Sequence, residues 1–163
     1  MQKLTKIDSN IKFISIGNWN EQLKMWDSTL KELKLDKKIL LRGVVDNKEI
    51  PKVLSEADVG ISILEKNEYY NKSPPQKIFE YMAMGLPTIA NDIPTHTDYI
   101  KDGYNGFIIN SAEDLVEAVL KLKNDKKLYK KISENAKESA KKYDLKAIEL
   151  KLKEHIDNLL KDN

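Results

Sequence analysis

The chain has 163 residues, of which 40% are hydrophobic and 33% charged, a composition typical of one globular domain of ordinary size. It contains no cysteine, which excludes disulfide bonds and thiolate metal sites, and no apolar run approaches the roughly 20 residues of a membrane-spanning helix. The first ten residues also lack the apolar segment of a secretory signal. We therefore expect a cytosolic protein, with the inner face of the membrane as an alternative location.

The net charge is +2, but lysines are concentrated near the end of the chain. Residues 121–163 carry 13 lysines against 8 acidic residues, which are interleaved with them, and no aromatic stripe accompanies these charges. Nucleic-acid binding usually requires a concentrated basic face with stacking side chains, so the pattern favours a solvated helical surface and no nucleic-acid partner. His96 and His155 lie far apart without clustered carboxylates, so no metal site is expected.

Strand and helix patterns alternate along the sequence. In chain order we predict a strand at 11–16, a helix at 21–34, a strand at 38–41, a short helix at 47–56, a buried strand at 58–63, an exposed loop at 65–73, a helix from 73, strands at 88–90 and 107–109, and helices beginning near 111, 125 and 144. Ser111 is the predicted cap of its helix. The last helix has a predicted inward-facing stripe formed by Ile148, Leu152, Ile156, Leu159 and Leu160.

Several of the predicted strands are continuous apolar runs, which is typical of a parallel sheet that is covered on both faces. We therefore predict an α/β fold, a Rossmann-like parallel sheet with helices on both faces and the C-terminal helices packed against it. The sequence shows no repeat and no low-complexity linker, which favours a single domain over residues 1–163. Ligands of such sheets bind beyond the carboxyl ends of the strands, which makes four loops candidates: 17–19, 42–46, 64–73 and 90–97.

The third of these loops leads into the most unusual segment of the chain. Ser73-Pro74-Pro75-Gln76 has the pattern of a helix start, with serine as the cap and proline at the first helical position, and Gly85 predicts the stop. Lys77 and Glu80 lie on one side of this helix, because residues three apart align. A phosphate at the helix start would meet backbone N–H groups and an ammonium together.

A second interpretation of this pair needs no ligand. Lys77 and Glu80 could form a surface ion pair, which contributes about 0.3 kcal/mol in an exposed helix. The two prolines also reduce the number of N–H donors available to an anion. Spacing alone does not decide between a binding site and a surface pair.

The segment S-P-P-Q-K-I-F-E-Y-M-A-M-G-L-P-T-I-A resembles the donor-site segment of the family-four retaining glycosyltransferases of the GT-B fold. Other stretches are similar to that family in the same order along the chain. They are L-R-G-V-V at 41–45, A-D-V-G-I at 57–61, I-P at 93–94, D-Y-I-K-D-G-Y-N-G-F at 98–107 and A-E-D-L at 112–115. The resemblance spans about residues 11–143 and rests on all of these motifs together.

This resemblance implies a role for particular side chains. Glu80 would bind the ribose hydroxyls of a sugar nucleotide. The positions expected near its pyrophosphate are Ser73, Gln76 and Lys77, and the loop expected beside its nucleobase comprises Arg42, Gly43, Val44 and Val45. The family implies a UDP- or GDP-linked sugar as the substrate, without a cofactor or a metal, and no catalytic residue can be assigned.

Three features depart from the family pattern. Position 72, where the family often has a second glutamate, is a lysine. The Arg/Lys pair that neutralises the leaving diphosphate is not found, and the N-terminal acceptor-binding domain and the first strand of the donor domain are missing. We therefore expect a fragment that recognises the donor but is inactive by itself.

The function implied by the resemblance is hexosyl transfer, with retention, from a nucleotide diphosphate sugar to a carbohydrate or lipid-linked acceptor. The expected partners are the donor and the N-terminal acceptor-binding domain, with peripheral membrane association of the full enzyme. Two other functions remain open, a non-catalytic α/β nucleotide-binding module and a sugar-nucleotide epimerase of the same architecture. His96 is interpreted as a solvated loop residue, with contact to a sugar or phosphate as the alternative. Trp19 is interpreted as packing, with a place beside the nucleotide as the alternative, and Tyr69 and Tyr70 as stacking or partner-contacting residues.

Overall fold

The computed structural model describes residues 1–18 and 22–161, with side chains described for 1–18 and 27–160. Trp19 therefore lies outside the described residues. So do the side chains of Leu23 and Trp26, two apolar residues at three-residue spacing in the helix predicted at 21–34. The chain divides into two compact units, Met1–Ala57 and Asp58–Asn163, and each is described by itself.

The first unit contains two parallel strands and the helices around them. In chain order its elements are α1 (Gln2–Ile7), β1 (Phe13–Ile16), α2 (Gln22–Glu32), β2 (Ile39–Arg42), a 3₁₀ turn (Asn47–Glu49) and α3 (Ile50–Leu54). Strand β1 pairs with β2 from Phe13 opposite Ile39 to Ile16 opposite Arg42. Among the side chains described in this unit, the buried apolar ones are those of Leu4, Leu30, Leu35, Val53 and Leu54. The sequence patterns predicted both strands, whereas α1 was not predicted.

The second unit contains a three-stranded parallel sheet of order β3-β4-β5. In chain order its elements are β3 (Gly60–Ser62), α4 (Glu68–Lys72), α5 (Gln76–Met84), β4 (Thr88–Asn91), α6 (Pro94–Thr97), β5 (Gly106–Ile109), α7 (Ala112–Asn124), α8 (Lys126–Ala140), a 3₁₀ turn (Lys141–Tyr143) and α9 (Leu145–Lys161).

Helices cover both faces of this sheet because successive residues of a strand point to opposite sides. Ile89 of β4 packs in a cluster with Ala118 and Leu122 of α7, whereas its neighbour Ala90 packs with Ile78 of α5. The predicted α/β fold, parallel strands with helices around them, is therefore confirmed.

Helix α5 begins two residues later than the sequence pattern predicted. Pro75, not Ser73, is its N-cap residue, and the cap makes no side-chain hydrogen bond. The prediction that Ser73 caps this helix was wrong, because the residue before a proline is driven into extended backbone and Pro74 precedes Pro75. The predicted stop is confirmed, since Gly85 ends the helix with φ 71, a left-handed conformation that glycine adopts without strain.

Of two other local predictions, one needs correction and one is confirmed. Residues 65–73 were expected to form a loop, but 68–72 form helix α4, because the side chain of Asn67 accepts a hydrogen bond from the N–H of Tyr70 and caps it. The predicted cap at Ser111 is confirmed, and Asp114 completes a reciprocal capping box.

The stripe predicted to face inward on the last helix is exposed. Helix α9 is amphipathic, yet its apolar residues remain in contact with solvent, from Ile156 at 46% exposure to Leu145 at 79%. Periodicity identified the apolar face correctly, but periodicity does not specify what covers a face. Helices α7 and α8, by contrast, bury Ala118, Leu122, Ile132 and Ala136.

The close approach of β5 to β4 provides a test of this sheet. Gly106 lies opposite Thr88, and a Cβ atom on Gly106 would lie 2.4 Å from the carbonyl oxygen of Thr88. Since a backbone atom cannot swing aside, we expect Gly106→Ala to lower the free energy of unfolding by about 2 kcal/mol, measured by urea denaturation. Gly43→Ala is the matched control, because nothing lies within 4 Å of the added atom. Equal stability of both variants would contradict the described pairing.

Candidate functional site

The candidate residues of the second unit lie at the start of helix α5. This helix follows the loop that leaves the carboxyl end of β3, the edge at which ligands of parallel sheets bind. Gln76 and Lys77 are exposed in its first turn, whereas Ser73 and Glu80 are partly buried. Glu80 lies one turn further in, on the same side as Gln76 and Lys77. The structure therefore places all four predicted side chains along one short segment.

The carboxylate of Glu80 is held by a neighbour on its own helix. The side-chain amide of Gln76 donates a hydrogen bond of 3.0 Å to Oε1 of Glu80. In the part of the chain that the structure describes, no ion pair joins Lys77 to Glu80, so the surface pair considered from the sequence does not form. Lys77 keeps its ammonium in solvent, one turn from an ordered carboxylate.

The amino end of α5 lacks a side-chain cap. The N–H groups of a helix's first turn have no partner within the helix, and here proline occupies the cap position. Helices α4, α7 and α8 differ, because Asn67, Ser111 and Asp125 cap them. The N–H groups of Gln76 and Lys77 are therefore the donors that remain for an anion at this helix start, next to one cationic side chain.

The segment before α5 is tied to the end of strand β4. Asn91 receives the N–H of Leu64 on its side-chain oxygen and donates its amide to the carbonyl of Leu64, both at 2.9 Å. Thr95 donates a hydrogen bond to the carbonyl of Tyr70 in α4. These contacts attach the loop to β4 at Leu64 and to α6 at Tyr70.

Below this loop, His96 is completely buried. Its Nδ1 lies 2.9 Å from the carbonyl oxygen of Asn91, and its Nε2 lies 2.9 Å from the hydroxyl of Ser62, which is also fully buried. Burial lowers the pKa of His96, the Asn91 carbonyl opposes this effect, and the positive charge of Lys77 adds to it. The interpretation of His96 as a solvated loop residue was wrong, because its partner Ser62 is distant in sequence and could not be recognised from local pattern.

This segment carries two aromatic side chains, of which one is exposed and one is partly buried. Tyr69 and Tyr70 of α4 make an edge-to-face contact, with ring centroids 5.1 Å apart, and Tyr69 is 69% exposed. Lys72, at the position where the family often has glutamate, forms an exposed ion pair of 2.6 Å with Glu68. Neither tyrosine is brought into contact with Lys77 or Glu80 by any described interaction.

The predicted nucleobase loop belongs to the first unit. Arg42 forms a two-pronged ion pair with Glu56, with hydrogen bonds of 3.1 and 2.6 Å. This contact lowers the pKa of Glu56. Gly43 and Val44 are exposed and Val45 is partly buried, so the exposed surface of the loop is backbone and apolar side chain, while the guanidinium of Arg42 is paired with Glu56.

Comparison with known proteins identifies relatives over most of the chain. The profile of the family described as "Glycosyl transferases group 1" matches residues 1–139. A chitobiosyldiphosphodolichol beta-mannosyltransferase from Candida albicans is 30% identical over 117 residues, which make up 69% of this chain but 25% of that enzyme.

Solved structures show the same fold. The C-terminal domain of the glycosyl transferase group 1 protein LpcC from Francisella tularensis aligns with a TM-score of 0.71 and 24% identity, over 88% of this chain and 75% of that one. HepE from Anabaena, solved in complex with UDP-glucose, aligns with a TM-score of 0.74 and 19% identity, over 90% of this chain and 41% of HepE. The chain thus spans a quarter of the Candida relative and less than half of HepE.

The effect of the Lys77 charge on the pKa of His96 can be measured directly. We expect Lys77→Met to raise the pKa of His96, because one positive charge that disfavours the imidazolium is removed. An NMR titration of the imidazole protons follows both histidines, and His155 in α9 is the internal reference. Lys130→Met on α8 is the matched control and should leave His96 unchanged. An unaltered His96 pKa in Lys77→Met would contradict the proximity of these two side chains.

Proposed function

This chain belongs to the group 1 glycosyl transferases, and we propose that it binds the nucleotide-sugar donor of an enzyme of that family. It has the fold of a C-terminal GT-B domain, as in LpcC. The donor is a UDP- or GDP-linked sugar, and UDP is the first ligand to test because HepE was solved with UDP-glucose. The full enzyme transfers a hexosyl group to a carbohydrate or lipid-linked acceptor with retention of the anomeric configuration.

One observation carries this proposal, the uncapped start of α5 with a held carboxylate one turn further in. The first-turn N–H groups and the ammonium of Lys77 suit a diphosphate. The oxygens of Glu80 suit two neighbouring hydroxyls, because a carboxylate accepts hydrogen bonds on both of its oxygens. The distance of one helical turn, about 5.4 Å, is compatible with a ribose that follows a diphosphate.

The proposed chemistry depends on charge and position. During transfer the bond between the anomeric carbon and the diphosphate oxygen breaks and its electron pair stays on the diphosphate. The acceptor oxygen bonds to the anomeric carbon, and the proton of the acceptor hydroxyl passes to the departing diphosphate. Negative charge accumulates on the diphosphate, where Lys77 and the helix start would stabilise it more strongly than in the ground state. Glu80 would fix the nucleoside and therefore the orientation of the sugar.

The acceptor is proposed to be bound by another domain. The chain spans 25% of the Candida relative and 41% of HepE, which leaves room in such enzymes for an N-terminal acceptor-binding domain. The exposed apolar stripe of α9, which includes Ile148 and Leu152, supports this partner, since exposed apolar patches commonly mark interaction sites.

We further propose peripheral membrane association for the full enzyme. The name of the Candida relative describes transfer to a dolichol-linked sugar, an acceptor anchored in lipid. Over the residues that the structure describes, no helix is long and apolar enough to cross a membrane.

The decisive variant is Glu80→Ala. We expect it to weaken the binding of UDP or GDP at least tenfold, about 1.4 kcal/mol, measured by isothermal titration calorimetry. If Glu80 contacts the ribose hydroxyls, the loss should disappear with 2′,3′-dideoxyuridine diphosphate, which lacks them. Glu134→Ala, an exposed glutamate of α8, is the matched control. Unchanged affinity of Glu80→Ala for both nucleotides would remove Glu80 from the site, and no saturable binding by the wild-type chain would overturn the proposed function.

A further inference from the structure

We propose that His96 is a positioning residue for the donor site, which fixes the loop before α5 through Asn91 and Ser62. This inference rests on the proposed function and assigns a role to a side chain that touches none of the proposed ligand groups. It concerns the diphosphate end of the ligand, because the loop ends where the helix start begins.

The tautomer of His96 follows from its partners. A carbonyl oxygen only accepts hydrogen bonds, so Nδ1 must carry the proton that it shares with the carbonyl of Asn91 at 2.9 Å. Nε2 then has a free lone pair and accepts the hydroxyl proton of Ser62 at 2.9 Å. Both side chains are fully buried, so an unmade bond here would leave a polar group without water.

The two partners lie at the carboxyl ends of two neighbouring strands. Ser62 is the last residue of β3, directly before the loop begins, and Asn91 is the last residue of β4. By bonding both, His96 connects the carboxyl ends of two neighbouring strands. The side chain of Asn91 in turn makes two hydrogen bonds to the backbone of Leu64. His96 therefore positions the loop indirectly, because it holds the residue that binds Leu64.

A second attachment lies on the same short helix as His96. Thr95, which is 4% exposed, donates a hydrogen bond to the carbonyl of Tyr70 near the end of α4. The loop is thus fixed at Leu64 and at Tyr70, three residues before Ser73. Because Pro74 and Pro75 stiffen the remaining chain, the position of these attachments determines where the first N–H groups of α5 lie.

The alternative role for His96 is packing alone. A histidine that only fills volume would affect the stability of the fold. Its loss would weaken the protein's contacts with the nucleoside and with the diphosphate equally. A histidine that positions the loop would affect the diphosphate contacts and leave the ribose contact of Glu80 intact. The contribution of the second phosphate, given by the ratio of the dissociation constants for UMP and UDP, separates these two roles.

The test uses His96→Phe, which fills the volume but makes neither hydrogen bond, and Ser62→Ala, a milder change that removes one hydroxyl. We expect the UMP/UDP ratio of dissociation constants to fall at least fivefold in His96→Phe and by a smaller factor in Ser62→Ala. His96→Asn, which can still donate to the Asn91 carbonyl, should restore part of the ratio.

Asn105→Ala is the matched structural control. Its buried amide bonds the carbonyl of Tyr99 and the hydroxyl of Ser139, outside the loop, so its loss should lower the melting temperature without changing the ratio. An unchanged ratio in both His96→Phe and Ser62→Ala, or an equal fall in Asn105→Ala, would overturn the role of His96 while UDP binding persists. Absence of UDP binding by the wild-type chain would overturn the proposed function, and this role with it.

Discussion

The hydrogen bond from the amide of Gln76 to the carboxylate of Glu80 sets the geometry on which the account of this molecule depends. It is short-range and exposed, and such a pair contributes only about 0.3 kcal/mol to helix stability. Its importance is positional, because it orders Glu80 while Lys77 remains in solvent. A carboxylate that is already ordered loses less entropy when it binds a ligand. The same bond also leaves Lys77 available to an anion.

The surrounding structure can be understood as support for that helix start. The double proline ends α4 and prevents the helix from beginning earlier, and proline at the cap position leaves the first-turn N–H groups without a side-chain partner. Gly85 stops the helix in a left-handed turn, so that Leu86 and Pro87 can enter the buried strand that follows. Beneath the loop, Ser62, Asn91 and His96 connect the strand ends. The contacts at the strand ends therefore restrict the loop, and the loop restricts the start of α5.

The sequence predicted the features that depend on local pattern. Apolar runs identified the strands, and the cap predicted at Ser111 forms as expected. Ser73 failed as a cap because the pattern did not take account of the second proline. The burial of His96 could not be predicted, since its partner Ser62 lies 34 residues away. The exposure of Leu152 in α9 could not be predicted either. Amphipathicity identifies the apolar face of a helix but does not show whether another element packs against it.

Nucleotide binding at the start of α5 is tested most directly by an amide NMR titration of the wild-type chain with UDP and GDP. If the diphosphate binds at the start of α5, saturable shifts will include the amides of Gln76, Lys77 and Glu80 and extend to Leu64. Shifts centred instead on the cleft between β5 and α7, which Asp102, Asp114 and Lys121 line, would contradict it. So would a titration in which the amides of α5 do not move at saturating nucleotide.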